Sequence, residues 1–315
     1  MLSAEDANLA GWICGPLSIL ILVGRLAVCR YNRNPYDITT VICITSIVVA
    51  VTRVVVVNLS LTHGTANDTL HGNIDHFSNA DLEALKLGSI CAVIARLLIT
   101  TFYWLQTCLL LILYSRLMSH IQWISILIRV CWATIFTTYT TVMLITFLEC
   151  HPFRLYWQVS PPPGNCVRAY VQLFTQGISN IILDLMLLAI AFPVLRMKNR
   201  SASEAVRIGI LFGLGFFCII TSCLRVAYIY TDQSIQPVRS FWASLQMIVS
   251  TFVANAPTIY GCIKLIRKRT SEQLIRQANQ PEVWARTSDT TSNGSHRGTN
   301  VELHGPYPDS EVHEK

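Results

Sequence analysis

A seven-helix membrane bundle is the fold class this sequence predicts, and three observations predict it. Over 315 residues the chain is 52% hydrophobic and only 13% charged. Its apolar residues gather into seven stretches, each near the ~20 residues that carry a helix across the hydrocarbon core. Between them lie short polar loops in which cations concentrate on alternate sides. A soluble domain of this composition would leave large apolar surfaces facing water. Transmembrane strands would show short alternating segments instead. The class is therefore all-α.

The spans run from Gly11 to Val28, Ile38 to Leu59, Leu87 to Tyr114, Trp123 to Phe147, Tyr170 to Leu195, Ile208 to Tyr230 and Ser240 to Ile266. With the amino terminus outside, the inner loops carry Arg30, Arg33, Arg116, Arg196, Lys198, Arg200 and Arg207, followed by the run Arg267 to Arg269. The outer loops then hold only Lys86, Arg154, Arg168 and Arg239. The positive-inside rule selects that orientation, with the carboxyl terminus cytoplasmic. Residues 1–10 are expected as a short external segment, 11–266 as the membrane domain, and 267–315 as a mostly disordered cytoplasmic tail. The start lacks the basic region of a cleaved leader, so the first span is expected to direct insertion. The +6 net charge reports topology, and nothing points to nucleic acid.

The first helix ends in Arg25, whose stem can reach the inner surface. Beyond it, Cys29 is juxtamembrane, as is Cys262 after the last span. The second helix carries Arg53 and then Asn58, which with Asn67 matches the N-glycosylation acceptor pattern on the expected outer side. The loop from His63 to Lys86 also holds His71, Asp75 and His76, without the tight spacing of a metal site. The third helix carries Arg96. Cys150 and Cys166 flank an external loop, where oxidation is expected. A bridge between them contributes about 3 kcal/mol in the loop-entropy model. Cys91 is the rival partner for Cys166, and the sequence leaves that choice open.

The fifth helix carries Asn180 and Asp184 and is expected to close at Pro193. An acid in mid-bilayer costs about 2.5–3.5 kcal/mol on insertion scales, so Asp184 is a functional-site candidate set against a structural polar contact between helices. In the sixth helix, Gly209 and Gly213 have the spacing for close packing within the bundle. The seventh carries Gln246, Asn255 and Pro257, and then Ser271 to Trp284 is read as a short surface helix.

Depth separates these charges. At ~1.5 Å per residue, Arg53 lies about 9 Å below the outer end of its span, Arg96 about 13 Å, Arg225 about 8 Å and Asp184 about 21 Å. A direct pair between Asp184 and Arg225 would have to close roughly 13 Å of axial offset, beyond the reach of an arginine stem. The expectation is a polar cavity with an arginine rim, able to hold an anionic or oxygen-rich small molecule. Its competitor is that each arginine reaches outward to lipid headgroups. The ligand set is Arg53, Arg96, Asn180, Asp184, Arg225 and Asn255.

Several chemistries are disfavoured. The spans contain no His for zinc, no Lys stands in mid-helix seven for a Schiff base, and no phosphate loop or catalytic triad appears. No cofactor or metal is expected.

From the third helix onward the chain resembles the fungal rhodopsin-like domain family, which includes receptor-like members and a membrane protein of the satratoxin cluster. The resemblance rests on Tyr114 and Arg116, then Cys150, Pro152, Trp157 and Cys166, then Asn180, Asp184 and Pro193, then Gly213, Ser222 and Arg225, and finally Pro257. It implies a fungal seven-helix protein in the plasma membrane or an endomembrane. Two positions depart from the family pattern: Thr107 stands where the family often has Lys, and Gln246 where it often has Glu. Losing both together leaves no orphan charge. The expected function is receptor-like binding of a small organic molecule, with cytoplasmic signalling proteins met through the loop from Arg196 to Arg207. The alternative is a membrane component of a secondary-metabolite pathway, a cyclase or isomerase with Asp184 as acid, or an accessory or export factor.

Overall fold

A computed structural model describes residues 4–31, 37–65, 79–117, 122–158, 164–195, 202–231 and 236–278. Among them are seven α-helices: α1 (Ala4–Tyr31), α2 (Ile38–His63), α3 (Asn79–Leu117), α4 (Gln122–Leu148), α5 (Tyr170–Leu195), α6 (Ala202–Thr231) and α7 (Gln236–Ala278). Two short 3-10 turns, Phe153–Trp157 and Asn165–Arg168, lie between α4 and α5. There is no strand among the described residues. Met1–Ile266 forms one compact unit, and Arg267–Lys315 is a second.

Helices successive in the chain run in opposite directions, in keeping with contacts at their ends. Asp37, whose side chain caps the first amide of α2 at 2.8 Å, pairs with Arg116 at the end of α3. Gln236 at the start of α7 donates to Ser60 near the end of α2 at 3.4 Å. We call the end where α1, α3, α5 and α7 begin the upper end.

Burial is inverted relative to a soluble protein. Phe136 is 74% exposed and Leu148 68%, whereas Arg53 is 2% exposed, Gln172 1% and Asn255 0%. Backbone polar groups are satisfied inside each helix, so apolar side chains can face hydrocarbon while polar ones gather inside. Six helices are long and apolar enough to cross a membrane, and α6 contributes the shorter apolar stretch Phe212–Tyr228. The fold is an all-helical, seven-helix, multi-pass membrane bundle.

Several expectations change in detail. Helices outrun the apolar windows because the hydrogen-bonded ladder continues past the hydrocarbon: α1 begins at Ala4, α2 reaches His63 and α3 starts at Asn79. Pro193 lies in the last turn of α5, not at its end. α7 runs through Pro257 to Ala278 without a break, so residues 271–278 continue that helix and form no separate one. A Cβ at Gly209 or Gly213 would meet nothing within 4 Å, so neither makes the expected close packing. That role falls to Gly88, where a Cβ would collide with the Gly64 carbonyl oxygen, and to Gly177, against Val226.

Candidate functional site

Arg53, Arg96 and Arg225 come from three helices and line one cavity of about 30 Å³. A fourth arginine, Arg239, joins them from the first turn of α7, with Gln176, Gln236 and Ser240. By sequence alone Arg239 falls among the outer-loop cations. It is helical and buried because α7 begins at Gln236. None of the arginines reaches outward, since all four are nine-tenths or more buried.

Each guanidinium is held by polar neighbours, and no Asp or Glu lines the cavity. Arg53 donates to Ser244 Oγ at 3.3–3.4 Å. Arg225 donates to Gln246 Oε1 at 2.9 Å and Gln176 Oε1 at 3.4 Å, and lies over the Tyr103 ring. Arg96 donates to the Val167 carbonyl at 3.1 Å and lies over the Tyr156 ring, while Arg239 donates to the Arg168 carbonyl at 3.2 Å. Arg53 Nε, Arg96 Nε and Nη1, and Gln176 Nε2 are buried with no acceptor among the described residues.

The described residues between α4 and α5 pack near the upper end, against α3. Phe153 packs on Phe147, Tyr156 and Trp157, and Tyr156 donates to the Thr146 carbonyl at 2.9 Å. Cys150 is disulfide-bonded. Cys91 is a free cysteine in this structure. The Cys166 side chain lies outside the described ones. Glu149 accepts the Val171 amide at 2.9 Å and the Gln172 amide at 3.2 Å, capping α5. Burial pushes the Glu149 carboxyl up from its ordinary range, against the pull of those two amides and of Arg96 and Arg239.

Asp184 occupies a separate chamber. It lines two small adjoining pockets of about 30 and 40 Å³, the first shared with Tyr103, Thr107, Asn180, Cys218, Thr221, Gln246 and Ser250. It is half-buried, and among the described residues it accepts no hydrogen bond and pairs with no cation. Asn180 Nδ2 is likewise without an acceptor. Thr107 and Gln246, the two positions that depart from the family pattern, both face this chamber. Gln246 is also the link upward, since it holds Arg225 on one side and donates to Ser222 Oγ at 3.0 Å on the other.

Asn255 stands apart from both cavities. Its Oδ1 accepts Arg25 Nη1 at 2.8 Å, and its Nδ2 donates to Gln106 Oε1 at 3.0 Å. Asn58 lies near the upper end of α2, while Asn67, His71, Asp75 and His76 lie outside the described residues. No group of three or more His, Cys, Asp or Glu among the described residues could hold a metal.

Sequence reasoning missed Arg239, Gln176 and Glu149. Arg239 had a signal in being a cation next to an apolar run. A glutamine inside a helix and an acid one residue beyond another carry no periodic signature.

Apolar helices packed around arginine, glutamine and asparagine side chains define an integral membrane protein of the seven-helix class. Within that class the chain belongs to the fungal rhodopsin domain family, whose domain matches residues 24–267. It is 23% identical over 177 residues to the wortmanamides biosynthesis cluster protein C of Talaromyces wortmannii. That match covers 53% of this chain and 46% of the relative, so the chain spans about half of the relative's length. No solved structure matches it.

Proposed function

We propose that this protein is receptor-like and binds a small organic acid by its anionic group, held in the arginine cavity. One observation carries the reading. Four buried donors, on Arg53, Arg96 and Gln176, have no acceptor among the described residues and line a cavity whose wall contains four arginines and no carboxylate. Burying a guanidinium costs several kcal/mol unless an anion compensates it. A carboxylate entering here supplies that charge and accepts bidentate, charge-assisted hydrogen bonds.

Size sets the ligand class. A cavity needs ~10–15 Å³ to hold one water, so 30 Å³ accepts about two waters or one carboxylate. Whole drug-sized ligands fill ~300–1,000 Å³. The cavity therefore takes a small acid, or the acidic end of a larger one. With the amino terminus outside, it lies toward the outer surface, and a bridge from Cys150 to Cys166 fastens the segment above it.

A second reading is supported by the Talaromyces relative, whose name places it in a biosynthesis cluster. Here the acid is an intermediate of a fungal secondary-metabolite pathway and the protein is a membrane component of that pathway. The pockets at Asp184 have room for about two to four waters each, which favours binding over a cyclase working on a bulky substrate in this conformation.

Deletion of the gene in a fungal host, with wild type or Arg225→Gln restored, separates the two. Loss of a response to an external organic acid, with unchanged metabolites, supports the receptor. Accumulation of an acidic intermediate that wild type clears and Arg225→Gln does not supports the pathway role. Restoration of every phenotype by Arg225→Gln contradicts both.

A further inference from the structure

A roomier cavity than that of the arginine cluster lies at the opposite end of the bundle. It measures about 610 Å³ and lies where α1 and α3 finish, α2 begins and α7 passes Thr258. Its two walls differ in chemistry. Leu26, Ile112 and Leu113 form an apolar side, while Arg25, Arg30 and Arg116 face it with a single acid, Asp37. Three arginines against one aspartate leave the lining positive.

Arg25 makes this a built site. It is 5% exposed, and both of its hydrogen bonds, to Asn255 Oδ1 at 2.8 Å and the Ala254 carbonyl at 3.4 Å, leave from Nη1. Asn255 itself is fixed by Gln106. The guanidinium is thus clamped at one nitrogen, with Nε and Nη2 left to the cavity that it lines. Arg116 stands at the rim, more than half exposed and paired with Asp37.

A cationic edge beside an apolar wall, at the level where helices leave the hydrocarbon, matches an amphiphile with an anionic head. Phosphate suits guanidinium better than a single carboxylate does, because its oxygens accept from two forks at once. Basic pockets between membrane helices bind anionic headgroups by this logic. We propose that this cavity is a binding site for an anionic lipid with a phosphate monoester head, its phosphate between Arg25 and Arg116 and an acyl chain along Leu26, Ile112 and Leu113. The inference is independent of the function proposed for the arginine cavity.

The test uses the full chain purified in mild detergent, incubated with phosphatidic acid or phosphatidylcholine and read by native mass spectrometry. Phosphatidic acid is expected to be retained about tenfold more than phosphatidylcholine, the effect of one charge-assisted contact. Arg116→Gln, a change at an exposed rim residue, should abolish that preference. Ala27→Phe, which fills the cavity without altering charge, should displace both lipids while leaving the thermal melt intact. A third arm adds glycerol 3-phosphate alone. Equal retention of the two lipids would overturn the proposal, as would unchanged phosphatidic acid binding in both variants. Thermal stabilisation by glycerol 3-phosphate matching that by the lipid would assign the site to a soluble phosphate and overturn the lipid assignment.

Discussion

Arg225 on α6 donates to Gln246 Oε1 on α7 at 2.9 Å and makes no pair with Asp184. The amide between them is a partition. Arg225 faces the arginine cavity and Gln246 faces the chamber of Asp184, so the positive and negative groups of the interior are kept in separate compartments.

Gln246→Glu replaces that neutral partition with a carboxylate already in contact with Arg225. A buried ion pair would form where a neutral hydrogen bond now stands, and one of the four arginines would be compensated. Acetate affinity at the arginine cavity should fall about tenfold, roughly the loss of one charge-assisted interaction. Titration of wild type and variant in nanodiscs measures it.

Thr107 faces the unpartnered carboxylate of Asp184. Thr107→Lys should therefore be tolerated with Asp184 present and poorly tolerated with Asp184→Asn. A double-mutant cycle on thermal stability should show coupling on the order of 1–3 kcal/mol. Additive effects would mean that the two side chains do not meet.

Gly88 and Gly209 make opposite predictions. Gly88→Ala drives a Cβ into the Gly64 carbonyl and should cost about 1–3 kcal/mol as overpacking between α2 and α3. Gly209→Ala meets open space, and should gain up to about 1 kcal/mol of helix propensity. Melting curves of the two variants decide it.

Glu149 carries a pH dependence. Its folded carboxyl is raised by burial, so the folded state holds its proton more tightly than the unfolded chain does. Stability from this group is fully present below the unfolded value and declines as pH rises through the folded one. Glu149→Gln removes that titration. The melting temperature of wild type minus that of Glu149→Gln should shrink as pH is raised from about 4 toward neutrality. A constant difference would show that Glu149 does not titrate differently on folding.

The seven helices were legible because a long apolar run has few alternatives, and membrane depth followed from counting residues at a fixed rise. That arithmetic grouped Arg53, Arg96 and Arg225 at one level and separated Asp184 from Arg225. It could not say which way each side chain faced, and so Asn255, which turns toward Arg25 and Gln106, was assigned to the ligand set with the others. The glycine spacing misled for the same reason. Gly209 and Gly213 share a helix face, but close packing depends on what lies opposite, and Gly88 met its partner through a loop carbonyl that no periodicity encodes. Arg239 and Glu149 act through tertiary contacts at helix ends, where apolar windows place boundaries least well.

The most direct test of the arginine cavity is calorimetric titration of the full chain in nanodiscs with acetate, with acetamide, its neutral analogue of the same size, as the control. Wild type should bind acetate saturably, and Arg53→Gln or Arg96→Gln should each weaken it about tenfold, the effect of one charge-assisted hydrogen bond. Acetate heats indistinguishable from those of acetamide in the folded wild type, or binding untouched by both substitutions, would contradict an anion site there.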